Sequence, residues 1–293
     1  MRREVAMKTM PIPIRVMGPG SQPEDDAVQC LGMSREVGQF AMPRVPERAD
    51  PHALAEAAET LEEFYEALEA WDPALVRNGP RLHLRGASPA ALAIVNEVLG
   101  EGEVSIRIEG ARRARIQESV FAGIWRAFEL DADDRLCDDW IEAASLPAIA
   151  VDAALAAAAP VPALVEVPDG AMNSPALLAE IRACVEERKR GDPAHVLNLT
   201  LFPLTAEDHG VLERALPVGP VAIMSRGFGN CRVTSTLARN VWRVQYFNAM
   251  NTLILNTLEI VEAPEVAVAA DCDLADSRER FGELIAWMKE GVG

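Results

Sequence analysis

The chain contains one unit twice. Shifting residues 82–151 forward by 117 positions lays them on 199–268 without a gap, and 16 of the 70 pairs are identical. Composition alone would give roughly four. Leu82 and Leu84 meet Leu199 and Leu201, Gly102 meets Gly219, and Val104 and Ile106 meet Val221 and Ile223. Gly110 meets Gly227, and Trp125-Arg126 meets Trp242-Arg243. Many remaining pairs exchange Ile, Val and Leu, swaps that a packed core tolerates. Whatever the unit is, its hydrogen bonds and its core must be satisfiable twice.

Hydrophobic spacing predicts the elements of that unit. Leu54, Ala58, Leu61, Tyr65 and Leu68 recur at three and four residues after Pro51, which predicts a helix. Leu82 and Leu84 suggest a short strand. Ser88-Pro89 opens a second helix that stops at Gly100, with Ser as N-cap and Pro in the first turn. Val104–Ile108, Arg115–Val120, Ile124–Leu130 and Leu136–Ala143 follow as β-branched runs separated by turn residues. The alanine-rich stretch 149–159 then predicts a short helix. The fold class is α+β: a tandem duplication of two helices, a mainly antiparallel sheet of about five strands and a following short helix.

Around the copies, residues 1–48 hold six prolines and predict an extended arm with one short strand at Ile12, Ile14 and Val16. The first repeat runs over 49–159, a proline-rich linker over 160–170, and the second repeat over 171–293. A terminal helix at 274–288, with Asp273 as N-cap, carries an apolar stripe of Phe281, Leu284, Ile285 and Met288 expected to cover the sheet. Periodicity leaves open whether the two sheets join.

A net charge of -17 argues against nucleic acid, whose binding needs phosphates neutralised by Lys and Arg, and against an anionic membrane surface. No apolar run is long enough to span a bilayer, and Glu4, Pro11 and Pro13 interrupt any signal-peptide core after Arg2-Arg3. A cytoplasmic location is expected. The five cysteines (Cys30, Cys137, Cys184, Cys231 and Cys272) are odd in number and scattered, which favours reduced thiols.

No catalytic motif stands out. The four histidines lack zinc-ligand spacing, no CxxC occurs, and Gly227-Phe228-Gly229 leads into a strand rather than the helix a phosphate loop needs. No catalytic residue, metal site or cofactor is expected. Comparing the copies is more informative, because shared features serve the fold. Residues 98–143 carry 11 acids and 6 arginines, whereas 215–260 carry Arg226, Arg232, Arg239 and Arg243 against Glu259 alone. This basic island also holds Phe228, Gly229, Asn230, Cys231, Asn240, Gln245, Tyr246, Asn248, Asn251 and Asn256. Arg and aromatic residues are enriched at interfaces, and Asn and Gln satisfy a peptide edge. The island is read as a partner surface of Arg226, Phe228, Gly229, Asn230, Cys231, Asn240, Arg243, Gln245, Tyr246 and Asn248, with a solvated sheet face as the alternative.

Several long stretches resemble the HupH/HyaF family of hydrogenase expression proteins. They are Met10–Val16 with Gly18–Pro23, Leu99–Gly110, Ser225–Arg232, Asn240–Asn248 and Leu255–Glu259. The resemblance implies a non-enzymatic cytoplasmic maturation chaperone for an uptake nickel–iron hydrogenase. Its implied partners are the iron–sulfur small-subunit precursor and other maturation factors. Met1–Lys8 look like an addition to the family pattern, with an alternative start as the other reading. The rival reading is an iron or iron–sulfur carrier using Cys231, with Cys272 or a partner thiol. An enzyme with an unrecognised site would require a deep polar pocket between the copies.

Overall fold

The computed structural model describes residues 50–72, 79–227 and 229–292. The expected extended arm over 1–48, the strand expected at Ile12, Ile14 and Val16, and Phe228 lie outside these residues. The first repeat contributes α1 (Pro51–Glu69), β1 (Arg81–His83), α2 (Pro89–Leu99), β2 (Val104–Ile108), β3 (Arg113–Glu118), β4 (Ile124–Leu130), β5 (Leu136–Ala143) and α3 (Ala148–Ala157). The second contributes α4 (Ser174–Glu187), β6 (His195–Asn198), α5 (Ala206–Ala215), β7 (Val218–Ser225), β8 (Asn230–Thr236), β9 (Val241–Phe247), β10 (Leu253–Ile260) and α6 (Asp271–Val292). One difference between copies is local. Leu82 lies in β1, whereas its counterpart Leu199 opens a 3-10 turn that runs to Leu201.

The two copies share one sheet. Its ten strands run β1-β5-β4-β3-β2-β7-β8-β9-β10-β6, with every neighbouring pair antiparallel. The seam is β2 against β7, where Ile106 faces Ile223, its own counterpart in the repeat. A pseudo-twofold axis therefore passes between these two residues. Antiparallel pairing of equivalent strands is isologous, each side offering the same residues to the other, and the register observed centres this pairing on the middle of β2 and β7.

Side chains alternate across the sheet. On one face Ile106, Ile108, Trp125, Ile223, Val233, Trp242 and Val244 pack with Ile149, Ala150 and Ala154 of α3. Trp125 and Trp242 anchor their copies identically: each indole N–H donates to a backbone carbonyl beyond the last strand, Ala144 at 2.8 Å and Val261 at 3.2 Å. The other face carries two separate helical caps. Helices α1, α2 and α6 cover the first repeat, and α4 and α5 cover the second.

The repeated glycine pair has a steric cause. A Cβ on Gly102 would lie 2.2 Å from the Ser119 carbonyl oxygen, and one on Gly219 would lie 2.9 Å from that of Thr236. Both sites demand close backbone approach.

Each copy also sends its tail onto the other. After α3, Ala159 pairs with the β8–β9 turn, accepting from the Arg239 N–H and donating to the Leu237 carbonyl. After β10, Ala269 donates to the Ser145 carbonyl, and Leu274 fills the space beside Gly123 in the β3–β4 turn. This corrects the expectation for the terminal helix. It starts at Asp271, so Asp273 lies inside its first turn, and its stripe covers α1 and the loop at Phe121 rather than the sheet. The sequence periodicity shows that a helix has an apolar face but not which surface will receive it.

Within each cap a carboxylate joins the two helices, and the copies do this in opposite directions. In the first, Glu56 of α1 accepts from the Ser88 N–H and hydroxyl at the start of α2, both at 2.6 Å. In the second, Asp208 of α5 reaches back to α4, accepting from Asn173 N–H, Ser174 N–H and the Ser174 hydroxyl at 2.8–3.0 Å. Its other oxygen accepts from Thr205 N–H at 3.1 Å, completing a capping box. Burial alone would raise its pKa, but these hydrogen bonds outweigh it and hold the carboxyl well below the usual range. Asp208→Asn, which keeps the shape but loses the charge and one acceptor, is expected to cost about 2 kcal/mol in urea unfolding at pH 7.

Candidate partner surface on the second repeat

The island residues do not form one surface. Because β8 and β9 alternate, Cys231 and Tyr246 point to the α3 side, whereas Asn230, Arg243 and Gln245 point to the side carrying the helical caps. Cys231 is 1% exposed and Gln245 is 6% exposed. Burial pushes the Cys231 thiol up to about 11, with Tyr246 hydrogen-bonding partly against that shift, and pushes the Tyr246 hydroxyl up to about 12. This pair is protonated at neutral pH and belongs to the core.

Three of the asparagines serve turns. Asn240 adopts φ 59° between β8 and β9, where the first copy places Gly123 at φ 77°. Asn248 accepts from the Met250 and Thr252 N–H groups, as Asp131 accepts from Asp133 and Arg135 in the first copy. Asn251 and its counterpart Asp134 both have φ near 60°. Asn, Asp and Gly interchange here because each supports left-handed or Asx-turn geometry. The residue types differ while the conformations match, which is why they resemble additions when only identities are compared.

What remains different is the turn between β7 and β8. In the first copy the corresponding turn centres on Glu109, which pairs with Arg107, Arg113 and Arg115 at 2.5–3.1 Å. These contacts hold its carboxyl below the ordinary value even though burial opposes them. In the second copy Arg226 stands at that position, Met224 replaces Arg107 and Asn230 replaces Arg113, while Arg232 is retained. The hub has reversed its charge. Arg226, Gly229 and Asn230 are exposed, and Arg232 lies 5.3 Å over the Phe247 ring. Neither Arg226 nor Arg232 has an acidic partner among the described residues. Gly229 takes the positive φ of this turn, at 96°, so the retained Gly227 sits in the turn without supplying that conformation.

The exposed Met250, at 83%, and Asn251 occupy the neighbouring β9–β10 turn at the same end of the sheet. The second copy thus presents a cationic and amide-bearing end of adjoining turns. Arg126, the counterpart of Arg243, is committed to the interior of the first copy. It is 5% exposed and bound to Asp139 at 2.6 Å and Asn96 at 2.9 Å.

Two successive stretches, residues 54–167 and 171–288, match the C-terminal conserved region of the HupH hydrogenase expression protein. The chain belongs to this family. The two matches follow the duplication seen in the sheet. Among its relatives, the hydrogenase expression/formation protein HoxQ of Cupriavidus necator is 41% identical over 96% of this chain and 99% of its own. The hydrogenase expression/formation protein HupH of Rhizobium leguminosarum bv. viciae is 44% identical over 65% of this chain and 68% of its own. The hydrogenase-1 operon protein HyaF of Escherichia coli K12 is 31% identical over 94% of this chain and 97% of its own.

Among the described residues no helix is long and apolar enough to cross a membrane, and no group of three His, Cys, Asp or Glu side chains is placed to hold a metal ion.

Proposed function

We propose that the chain is a non-enzymatic accessory protein in hydrogenase maturation, acting in the cytoplasm. Its partner in this reading is the small-subunit precursor of an uptake nickel–iron hydrogenase. The relatives' names support the maturation role, and the charge reversal from Glu109 to Arg226 carries the choice of surface. A partner segment bearing carboxylates or free backbone carbonyls would meet Arg226 and Asn230 on the β7–β8 turn, with Arg232 and Phe247 below. Exposed cations at such a turn steer association and set specificity more than they add raw affinity.

Co-purification of the small-subunit precursor is expected to fall at least ten-fold for Arg226→Glu, with the circular dichroism spectrum unchanged. Capture at the parental level would remove the β7–β8 turn from the interface. Arg226 is the better probe than Tyr246, whose truncation would also disturb the packing around Cys231.

The carrier reading suits Cys231 poorly. A metal ligand must be a thiolate, and this thiol is buried and held protonated. Cys272 lies on α6, which packs on the first repeat.

A further inference from the structure

The pseudo-twofold axis relates two clefts of similar size at the ends of the helical caps. In the first repeat Leu68, Glu69, Trp71 and Asp72 line a cleft of about 400 Å³, closed by Asp271, Leu274 and Arg278 of α6. In the second, Val185, Glu186, Arg188 and Lys189 line one of about 420 Å³ at the corresponding positions, each 117 residues later. There Arg190, Arg239 and Glu262 join the wall, together with Pro160 and Val161 from the crossing tail of the first copy.

The duplication acts as an internal control. Leu68 and Glu69 keep their character as Val185 and Glu186, so these positions serve the fold. Trp71 and Asp72 become Arg188 and Lys189, and Ala122 of the first copy becomes Arg239. The first cleft holds three acids and one arginine, and the second holds four cations and two acids. Its polarity is inverted in a chain whose net charge is -17.

The four cations do different jobs. Arg188 is committed to the backbone, donating to the carbonyls of Asp192, Pro193 and Ile260 at 2.6–3.0 Å. Its Nε is buried without a hydrogen-bond partner among the described residues. Arg190 faces Glu262 at 3.8 Å, a long contact, and its side chain is 78% exposed. Lys189 and Arg239 are exposed on the rim and have no acidic partner among the described residues. With Glu186 and Glu262 set against the four cations, the lining carries a net formal charge of +2.

We infer that this cleft is a docking site for an acidic peptide segment presenting two or more spaced carboxylates. Long cations on separate elements (the end of α4 and the β8–β9 turn) can each meet one carboxylate, while Val161 and Val185 offer apolar contact to the intervening chain. A compact phosphate fits less well. The nearest helix end is the C-terminus of α4, not an N-terminus that would offer its backbone N–H groups to a compact phosphate. The cleft lies at the opposite end of β8 from Arg226, and the inference does not rest on the hydrogenase assignment.

The test is fluorescence anisotropy of a labelled hexaglutamate peptide with the full chain at low salt. The double variant Lys189→Glu, Arg239→Glu should weaken binding at least ten-fold. Arg135→Glu, a matched reversal on the exposed β4–β5 turn, should leave it within two-fold, and thermal unfolding should show both variants folded. Raising the salt should weaken binding to the parental chain, since exposed charges are screened. The inference is overturned by no binding to the parental chain, or by equal binding to the double variant. Displacement of the peptide by an equal concentration of inorganic pyrophosphate would also overturn it, by assigning the cleft to phosphates.

Discussion

Phe281→Ala is expected to lower the unfolding free energy by about 4 kcal/mol, and to loosen the first repeat more than the second. Phe281 belongs to the last helix of the chain, yet it is fully buried between elements of the first copy. Its ring meets Phe64 of α1 and Phe121 of the β3–β4 turn edge-on, at centroid distances of 5.7 and 5.2 Å, and stacks near Tyr65 at 6.3 Å. Truncation removes these contacts and leaves a cavity that rigid neighbours cannot refill. Lys289, paired with Glu62, and Met288 keep the last turns of α6 attached, so the variant should stay folded. Amide hydrogen exchange separates the assignments. Faster exchange in α1 and α2, with α4 and α5 unaffected, is the outcome of a crossed tail; faster exchange in α4 and α5 would contradict it.

Glu118→Gln is expected to stabilise the protein at pH 8 by about 3 kcal/mol and to change little at pH 5. Glu118 is 7% exposed, and burial raises its carboxyl to about 7, assisted by the nearby charges of Glu103 and Asp273 and opposed by hydrogen bonds from Gly123 and Val104. A carboxyl whose folded pKa lies above its unfolded value of 4.5 favours folding while it is protonated. That contribution is complete below about pH 4.5 and is lost as pH rises through 7, where the folded protein must bury a charge. Glutamine keeps an acceptor for the Gly123 N–H, which lies 3.0 Å from the carboxyl, without that charge. The second copy shows the neutral solution: its counterpart, Ser235, accepts from Val221 N–H, the equivalent of Val104, at 3.1 Å. Urea midpoints of parent and variant should diverge between pH 5 and 8; parallel curves would mean that Glu118 ionises normally.

The strands and helices were readable from spacing because apolar residues must recur with the period of the element that buries them. Val104–Ile108, Ile124–Leu130 and Leu136–Ala143 are strands at the residues where the patterning places them. The candidate surface was less readable. Copy comparison marked the asparagines of the second repeat as distinctive, but Asn240, Asn248 and Asn251 replace Gly123, Asp131 and Asp134 with the same backbone geometry. Turn conformation tolerates several residue types, so identity alone cannot separate a turn residue from an interface residue. The clefts at the helix ends were not legible either. Arg188, Lys189 and Arg190 look like an ordinary basic run in sequence, and Arg239 joins them only after β8 and β9 have folded back.

By itself the sequence determined the unit, its repetition, the paired tryptophans and the family, since these depend on local periodicity and on residues matched at a fixed interval. Tertiary structure alone decided that the two sheets join at Ile106 and Ile223, that the tails cross, and that Cys231 and Tyr246 face away from Arg243. Those outcomes depend on which apolar face meets which and on the side to which each strand position points. Contacts between residues more than a hundred positions apart leave no mark in spacing, because their free energy is realised only when both surfaces exist.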